Sequence, residues 1–170
     1  MKRRIYFLVG VYCWFFTMFV LQKPLFMLFH WDIYGDAPLS EWFSVMWHGR
    51  LLDNSMSAYI TAVPALLTVA TVWLRGKWWT PVFRTYFALI AFVVSAITLS
   101  DAVLYSYWGF RIDATPLFYL SSPADAVASI PAWQTVVILL LIVLYAALLV
   151  WPLWRLSAHA ACWAKPRRPI

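Results

Sequence analysis

The sequence predicts an all-α, polytopic membrane protein. Four transmembrane helices are joined by loops, and the outer loops carry short extracytoplasmic interfacial helices. Three observations predict this. Hydrophobic residues make up 64% of the chain and charged residues 12%, against about 45–50% and about 25% in soluble domains, so too few charges are present to cover a water-facing surface. Four apolar runs each reach the roughly 20 residues an α-helix needs to cross a bilayer. The charges are also sorted by sign along the chain. No alternating barrel pattern occurs, and backbone groups in lipid must be satisfied internally, which leaves helices.

The first run covers residues 5–29. Lys2, Arg3 and Arg4 ahead of it imitate a signal peptide. The run outlasts the about 7–15 residues of a signal core, and no small-x-small cleavage site follows, so it reads as a retained helix. Lys23 stands near its outer end, close enough to the interface to snorkel. The second run covers residues 57–74, with Pro64 as a kink point. The third covers 82–107, and the fourth 133–156, with Pro152 near its end. Together they form a single transmembrane domain over residues 1–170.

Orientation follows from charge. Lys2, Arg3, Arg4, Arg75, Lys77, Arg84, Arg155, Lys165, Arg167 and Arg168, ten of the thirteen basic residues, fall on one side, and no acid falls there. All seven acids (Asp32, Asp36, Glu41, Asp53, Asp101, Asp113 and Asp125) lie on the other side or near it. The positive side is the cytoplasmic one, so both termini are expected inside the cell and the loops 30–56 and 108–132 outside. Twelve Trp and nine Tyr supply interfacial belts at the ends of the runs. The net charge of +6 thus reflects topology. It forms no basic stripe of the kind that binds nucleic acid, and no nucleic-acid partner is expected.

Function is expected in the outer loops. In the first, Ser40 followed by apolar residues at 42, 43, 46 and 47 suggests a short interfacial amphipathic helix. Arg50, Asp53 and Ser57 then share one helical face. Arg50 and Asp53 read either as a structural bridge or as a site for an anionic lipid headgroup, with Arg50 as a phosphate fork. In the second, Asp101, Tyr105 and Trp108 recur on one face of the third run. A carboxylate that deep needs a partner, and Arg111 or Arg50 is available. Gly109 is placed to break the helix and let Arg111 and Asp113 turn back over its end. Ser122-Pro123-Ala124-Asp125 reads as a helix start.

No nucleophile, base and metal set emerges. His30 and His48 share a loop with Asp32, Asp36 and Asp53, but their spacing matches no ligand pattern. There is no Gly-rich phosphate loop. Cys13 and Cys162, one in the first run and one in the cytoplasmic tail, form no Cys-x-x-Cys or zinc motif.

Three segments carry a resemblance. They are Gln22-Lys23-Pro24-Leu25-Phe26-Met27, Gly49-Arg50-Leu51-x-Asp53, and above all Asp101-x-x-x-Tyr105-x-x-Trp108-Gly109-Phe110-Arg111-Ile112-Asp113-Ala114-Thr115-Pro116-Leu117. The chain resembles the N-terminal membrane region of the lipoteichoic-acid-synthase-like phosphoglycerol and phosphoethanolamine transferases of the sulfatase superfamily. In that family a further membrane helix leads into a large extracytoplasmic domain of alkaline-phosphatase type. That domain holds a Thr nucleophile and a divalent metal (Mn, Mg or Zn), and it moves a phospholipid headgroup onto a cell-envelope glycan or glycolipid.

The resemblance implies that this chain is the membrane anchor in the bacterial inner membrane, a truncated part of such an enzyme. Its partners would be a membrane phospholipid and the sulfatase-like domain. It would hold no catalytic residue and no cofactor of its own, and Arg50, Asp53, Trp108, Arg111 and Asp113 would meet the lipid headgroup. Asp101 and Tyr105 read as structural buried polar groups. The alternative is a free-standing four-helix membrane scaffold without catalysis. A transporter lacks the internal repeat and midplane charges it needs, and a quinone-coupled oxidoreductase lacks paired outer cysteines.

Overall fold

A computed structural model describes residues 2–74, 76–112 and 132–160. The elements among them are helices: α1 (Lys2–Phe29), the short α2 (Trp31–Tyr34), α3 (Leu39–Ala70), α4 (Trp79–Trp108) and α5 (Ala132–Ala160). Three of them, α1, α4 and α5, hold a stretch long and apolar enough to cross a membrane, and only 17%, 28% and 17% of those stretches is buried. Their open faces carry large apolar side chains such as Leu89, Ile97, Leu140 and Leu144. In water such faces would be sites of association; three helices of this kind point to a membrane protein.

The expected second span differs from the other three. Its helix, α3, is the longest at 32 residues, but Asp53, Asn54, Ser55, Ser57, Thr61 and Thr68 dilute its apolar run, and it does not join the three. Its start differs too. The sequence divides this region into a loop, a short amphipathic helix and a span beginning at residue 57, whereas the structure runs Leu39–Ala70 as one helix, about 48 Å long at 1.5 Å per residue. Nothing between Ser40 and Ser57 stops a helix. Gly49 costs about 1 kcal/mol against Ala in a helix interior and does not break one. Pro38, extended at φ −64° and ψ 150°, starts α3, where its missing N–H is no loss.

The described chain divides into two compact units, one of residues 1–90 and 150–170, the other of residues 91–149. In the first unit α1 packs along α3. Phe7, Val11 and Phe15, four residues apart on α1, form a core with Trp79, Phe83 and Phe87 at the same spacing on α4, and with Leu153 of α5. Phe7 meets Phe83 edge to face at 5.3 Å and 72°, the arrangement the ring quadrupoles favour. In lipid such close packing replaces the hydrophobic drive as the force between helices.

Pro64 lies inside α3. Having no N–H, it cannot donate to the Ile60 carbonyl one turn back. The Tyr86 hydroxyl of α4 donates to that carbonyl at 2.7 Å instead, which satisfies a backbone group that lipid could not. After α3 the chain turns through Thr71, whose N–H reaches the Leu67 carbonyl at 3.1 Å, and the Trp79 indole N–H donates to the Leu74 carbonyl. The second unit is the latter part of α4 and the first part of α5. There the Tyr107 hydroxyl donates to Gln134 Oε1 at 3.1 Å.

Candidate functional site

Two carboxylates are buried in the described helices, Asp53 on α3 and Asp101 on α4, and each is held by one cation. In the first unit Lys23 reaches from α1, its Nζ 2.5 Å from both oxygens of Asp53. Their side chains are 17% and 8% exposed. The stem of Lys23 crosses α3 at Gly49, one turn before Asp53. A Cβ at that position would lie 2.1 Å from Lys23 Cε, so glycine makes the crossing possible. Two further bonds brace the pair. The Ser57 hydroxyl donates to the Asp53 carbonyl at 2.6 Å, and the Tyr12 hydroxyl of α1 donates to Asn54 Oδ1.

This corrects two expectations. Arg50 does not bridge to Asp53; its guanidinium carbon lies 3.4 Å from the centroid of the Trp47 ring. Helical side chains lean toward the N-terminus of their helix, so Arg50 falls back onto the residue three before it and away from the one three after. Lys23, expected to snorkel toward water, is tied down in an ion pair. Among the described residues no carboxylate pairs with Arg50. Its stacked guanidinium keeps an edge of N–H donors of the kind that fits a phosphate.

In the second unit the C-terminus of α4 folds back on Asp101. Gly109 has φ +70°, the left-handed region glycine adopts without strain, and its N–H donates to the Tyr105 carbonyl at 2.9 Å. The turn brings Arg111 Nε and Nη2 to Asp101 Oδ2, at 2.9 and 2.5 Å. The Ile112 N–H donates to Oδ1 at 2.7 Å. Of the two cations the sequence offers Asp101, the structure pairs it with Arg111, which is 62% exposed while Asp101 is 5% exposed. Tyr105 is half-buried in the turn before Gly109, Trp108 is the last residue of α4, and Asp113 lies outside the described residues.

The site candidates thus separate. Arg50 and Asp53 belong to the first unit, Asp101, Tyr105 and Arg111 to the second. Sequence reasoning missed Lys23 and Gly49 as the partners of Asp53. The available signal was that Lys23 is the one basic residue within the first apolar run after its opening cluster, and a buried acid needs a cation. The histidines serve locally: His30, buried against Phe26 with ring centroids 4.5 Å apart, donates from Nδ1 to the Phe26 carbonyl at 3.1 Å. His48 donates to the Ser44 carbonyl at 2.8 Å. Among the described residues no three of His, Cys, Asp and Glu come together in a group that could hold a metal ion.

A helical protein with three membrane-length apolar helices and two ion-paired carboxylates is the class these observations define. No protein-family model, no curated protein and no solved structure matches the chain.

Proposed function

We propose that the chain is the membrane-anchor part of a sulfatase-superfamily transferase that moves a phospholipid headgroup onto a cell-envelope glycan or glycolipid, and that Arg50 helps hold the headgroup. The observation that carries the headgroup role is the Arg50 guanidinium stacked on Trp47 with no carboxylate partner among the described residues. Asp53 and Asp101 then act as structure, each already neutralised by its own cation. The family part of the reading rests on the Trp108-to-Leu117 resemblance. The clasp on Asp101 supports it by giving Gly109 and Arg111 of that segment a definite structural task.

In this proposal α3 is a fourth span. Its buried residues are Asp53, Ser57, Pro64 and Thr68, whereas Met56, Tyr59, Val63, Leu66 and Val69 are exposed. A helix that turns polar groups inward and apolar groups outward is the reverse of a soluble surface helix. With four spans and the positive side inside, both termini lie in the cytoplasm of a bacterial inner membrane. A phospholipid and an extracytoplasmic sulfatase-like domain, which would contribute the divalent metal, are the partners. A free-standing scaffold is the second reading, favoured by the internal neutralisation of both carboxylates.

The test is headgroup release from labelled phospholipid by the full-length enzyme carrying Arg50→Ala. The expected result is a fall of about tenfold at unchanged expression, the worth of one charge-assisted contact. Unchanged turnover would reduce Arg50 to a structural residue. A coding frame with no sulfatase-like domain beyond Ile170 or beside it would favour the scaffold.

A further inference from the structure

The opposite, basic end of the first unit holds a second feature, separate from the ion-paired carboxylates. A cavity of about 550 Å³ opens between α1 and α5, lined by Gly10, Cys13, Trp14 and Thr17 on one side and by Trp151 and Arg155 on the other. This is within the range of about 300–1,000 Å³ typical of small-molecule sites. On α1 the lining residues recur on one face over eight residues, a groove about 10 Å long. Leu156 lies against Gly10, where an added Cβ would stand 3.5 Å from its methyl groups, so the Arg155 end of the groove is the end nearest the start of α1. The guanidinium carbon of Arg155 sits 4.0 Å from the Trp151 ring centroid, and Arg84 lies 5.9 Å from the ring of Trp154.

We infer that this groove binds one anionic phospholipid of the leaflet that the basic end faces, its phosphate on Arg155 and one acyl chain along Gly10, Cys13 and Thr17. Charge decides the occupant. Among the described residues no carboxylate pairs with Arg155, and the sequence places no acid in the segments at this end. A phosphate therefore meets cations unopposed, while the ammonium of a zwitterionic headgroup finds no carboxylate to answer it. The lining agrees: the open groove joins a charged and aromatic pair, Arg155 and Trp151, to the small and apolar face of Gly10, Cys13 and Thr17, a combination that suits a headgroup and a chain together. The inference needs no catalytic domain and stands apart from the headgroup role of Arg50.

The experiment is native mass spectrometry of the purified 170-residue chain with equimolar phosphatidylglycerol and phosphatidylcholine, comparing Arg155→Gln, Gly10→Leu and the charge-matched control Lys2→Gln. Wild type should retain phosphatidylglycerol in preference. Arg155→Gln should lower that preference about fivefold, the effect of one cation at a membrane surface, and Lys2→Gln less than about twofold. Gly10→Leu, which fills the groove, should lower retention of both lipids, with circular dichroism confirming that it folds. Equal retention of the two lipids by wild type, equal losses in Arg155→Gln and Lys2→Gln, or full retention by Gly10→Leu would overturn the inference. So would a dimer that Gly10→Leu abolishes with lipid binding unchanged, since that would assign the groove to a second copy of the chain.

Discussion

A buried carboxylate needs a cation to offset its lost hydration, and the two clasps meet that demand differently. Asp101 is buried, but its partner Arg111 is largely exposed. Removing the arginine strands an anion, whereas neutralising the aspartate frees a cation that water can reach. Arg111→Ala is therefore expected to destabilise by about 2–3 kcal/mol, below the about 3–5 of a fully buried pair, and Asp101→Asn by less. The double variant should recover part of the Arg111→Ala loss, as thermal unfolding in detergent would show. At Gly49 two effects oppose. Alanine gains about 1 kcal/mol in helix propensity, but its Cβ would displace Lys23 from Asp53. Gly49→Ala should lower the unfolding midpoint in the wild type and raise it in a Lys23→Ala background. The same sign in both backgrounds would mean that the lysine does not depend on the glycine. The Asp101 clasp was legible in the sequence because its parts lie within eleven residues of one another (Asp101 to Ile112) and Gly109 marks the turn. The Asp53 clasp was not, because its lysine is thirty residues away and Arg50, three residues off, looked the nearer partner.

At the scale of elements, α3 carries most of what the sequence hid. Gly49 falls inside the expected outer loop of 30–56, with Arg50, Asp53 and Ser57 read on one helical face beside it; glycine is there for the passage of Lys23, and one helix runs straight through. Pro64 reads as a kink point, and its physical consequence is an orphaned Ile60 carbonyl that Tyr86 of α4 satisfies. Tyr86→Phe should then cost about 1–2 kcal/mol, the penalty of an unsatisfied buried acceptor. In a Pro64→Ala background, where the restored N–H serves that carbonyl, it should cost close to nothing. An equal cost in both backgrounds would show that the hydroxyl is not compensating for the proline. The other three long helices were legible almost to their ends, since unbroken apolar runs of that length have few other structures open to them. The expected bounds of 5–29, 82–107 and 133–156 became Lys2–Phe29, Trp79–Trp108 and Ala132–Ala160, each extended by flanking residues that a helix tolerates at the interface.

For the whole molecule, the number of crossings rests on α3. The sorting of ten basic residues and no acids onto one side needs α3 to cross, so that Arg75 and Lys77 return to the side of Lys2 and Arg155 reaches it again. Without that crossing the chain has three spans, and its two ends lie on opposite faces. Hydropathy alone does not separate the two topologies, because Asp53, Ser57 and Thr68, three of the polar residues that weaken α3 as a span, are among those it buries. The most direct measurement is a paired reporter fusion after Ile170, with green fluorescent protein, which fluoresces inside the bacterial cell, and alkaline phosphatase, which is active outside. Matching fusions in the loop at Asp36 and at Gly76 complete the set. Four spans predict fluorescence without phosphatase activity after Ile170 and at Gly76, and the reverse at Asp36. Phosphatase activity after Ile170, with the N-terminus inside, would contradict the four-span topology and with it the proposed anchor.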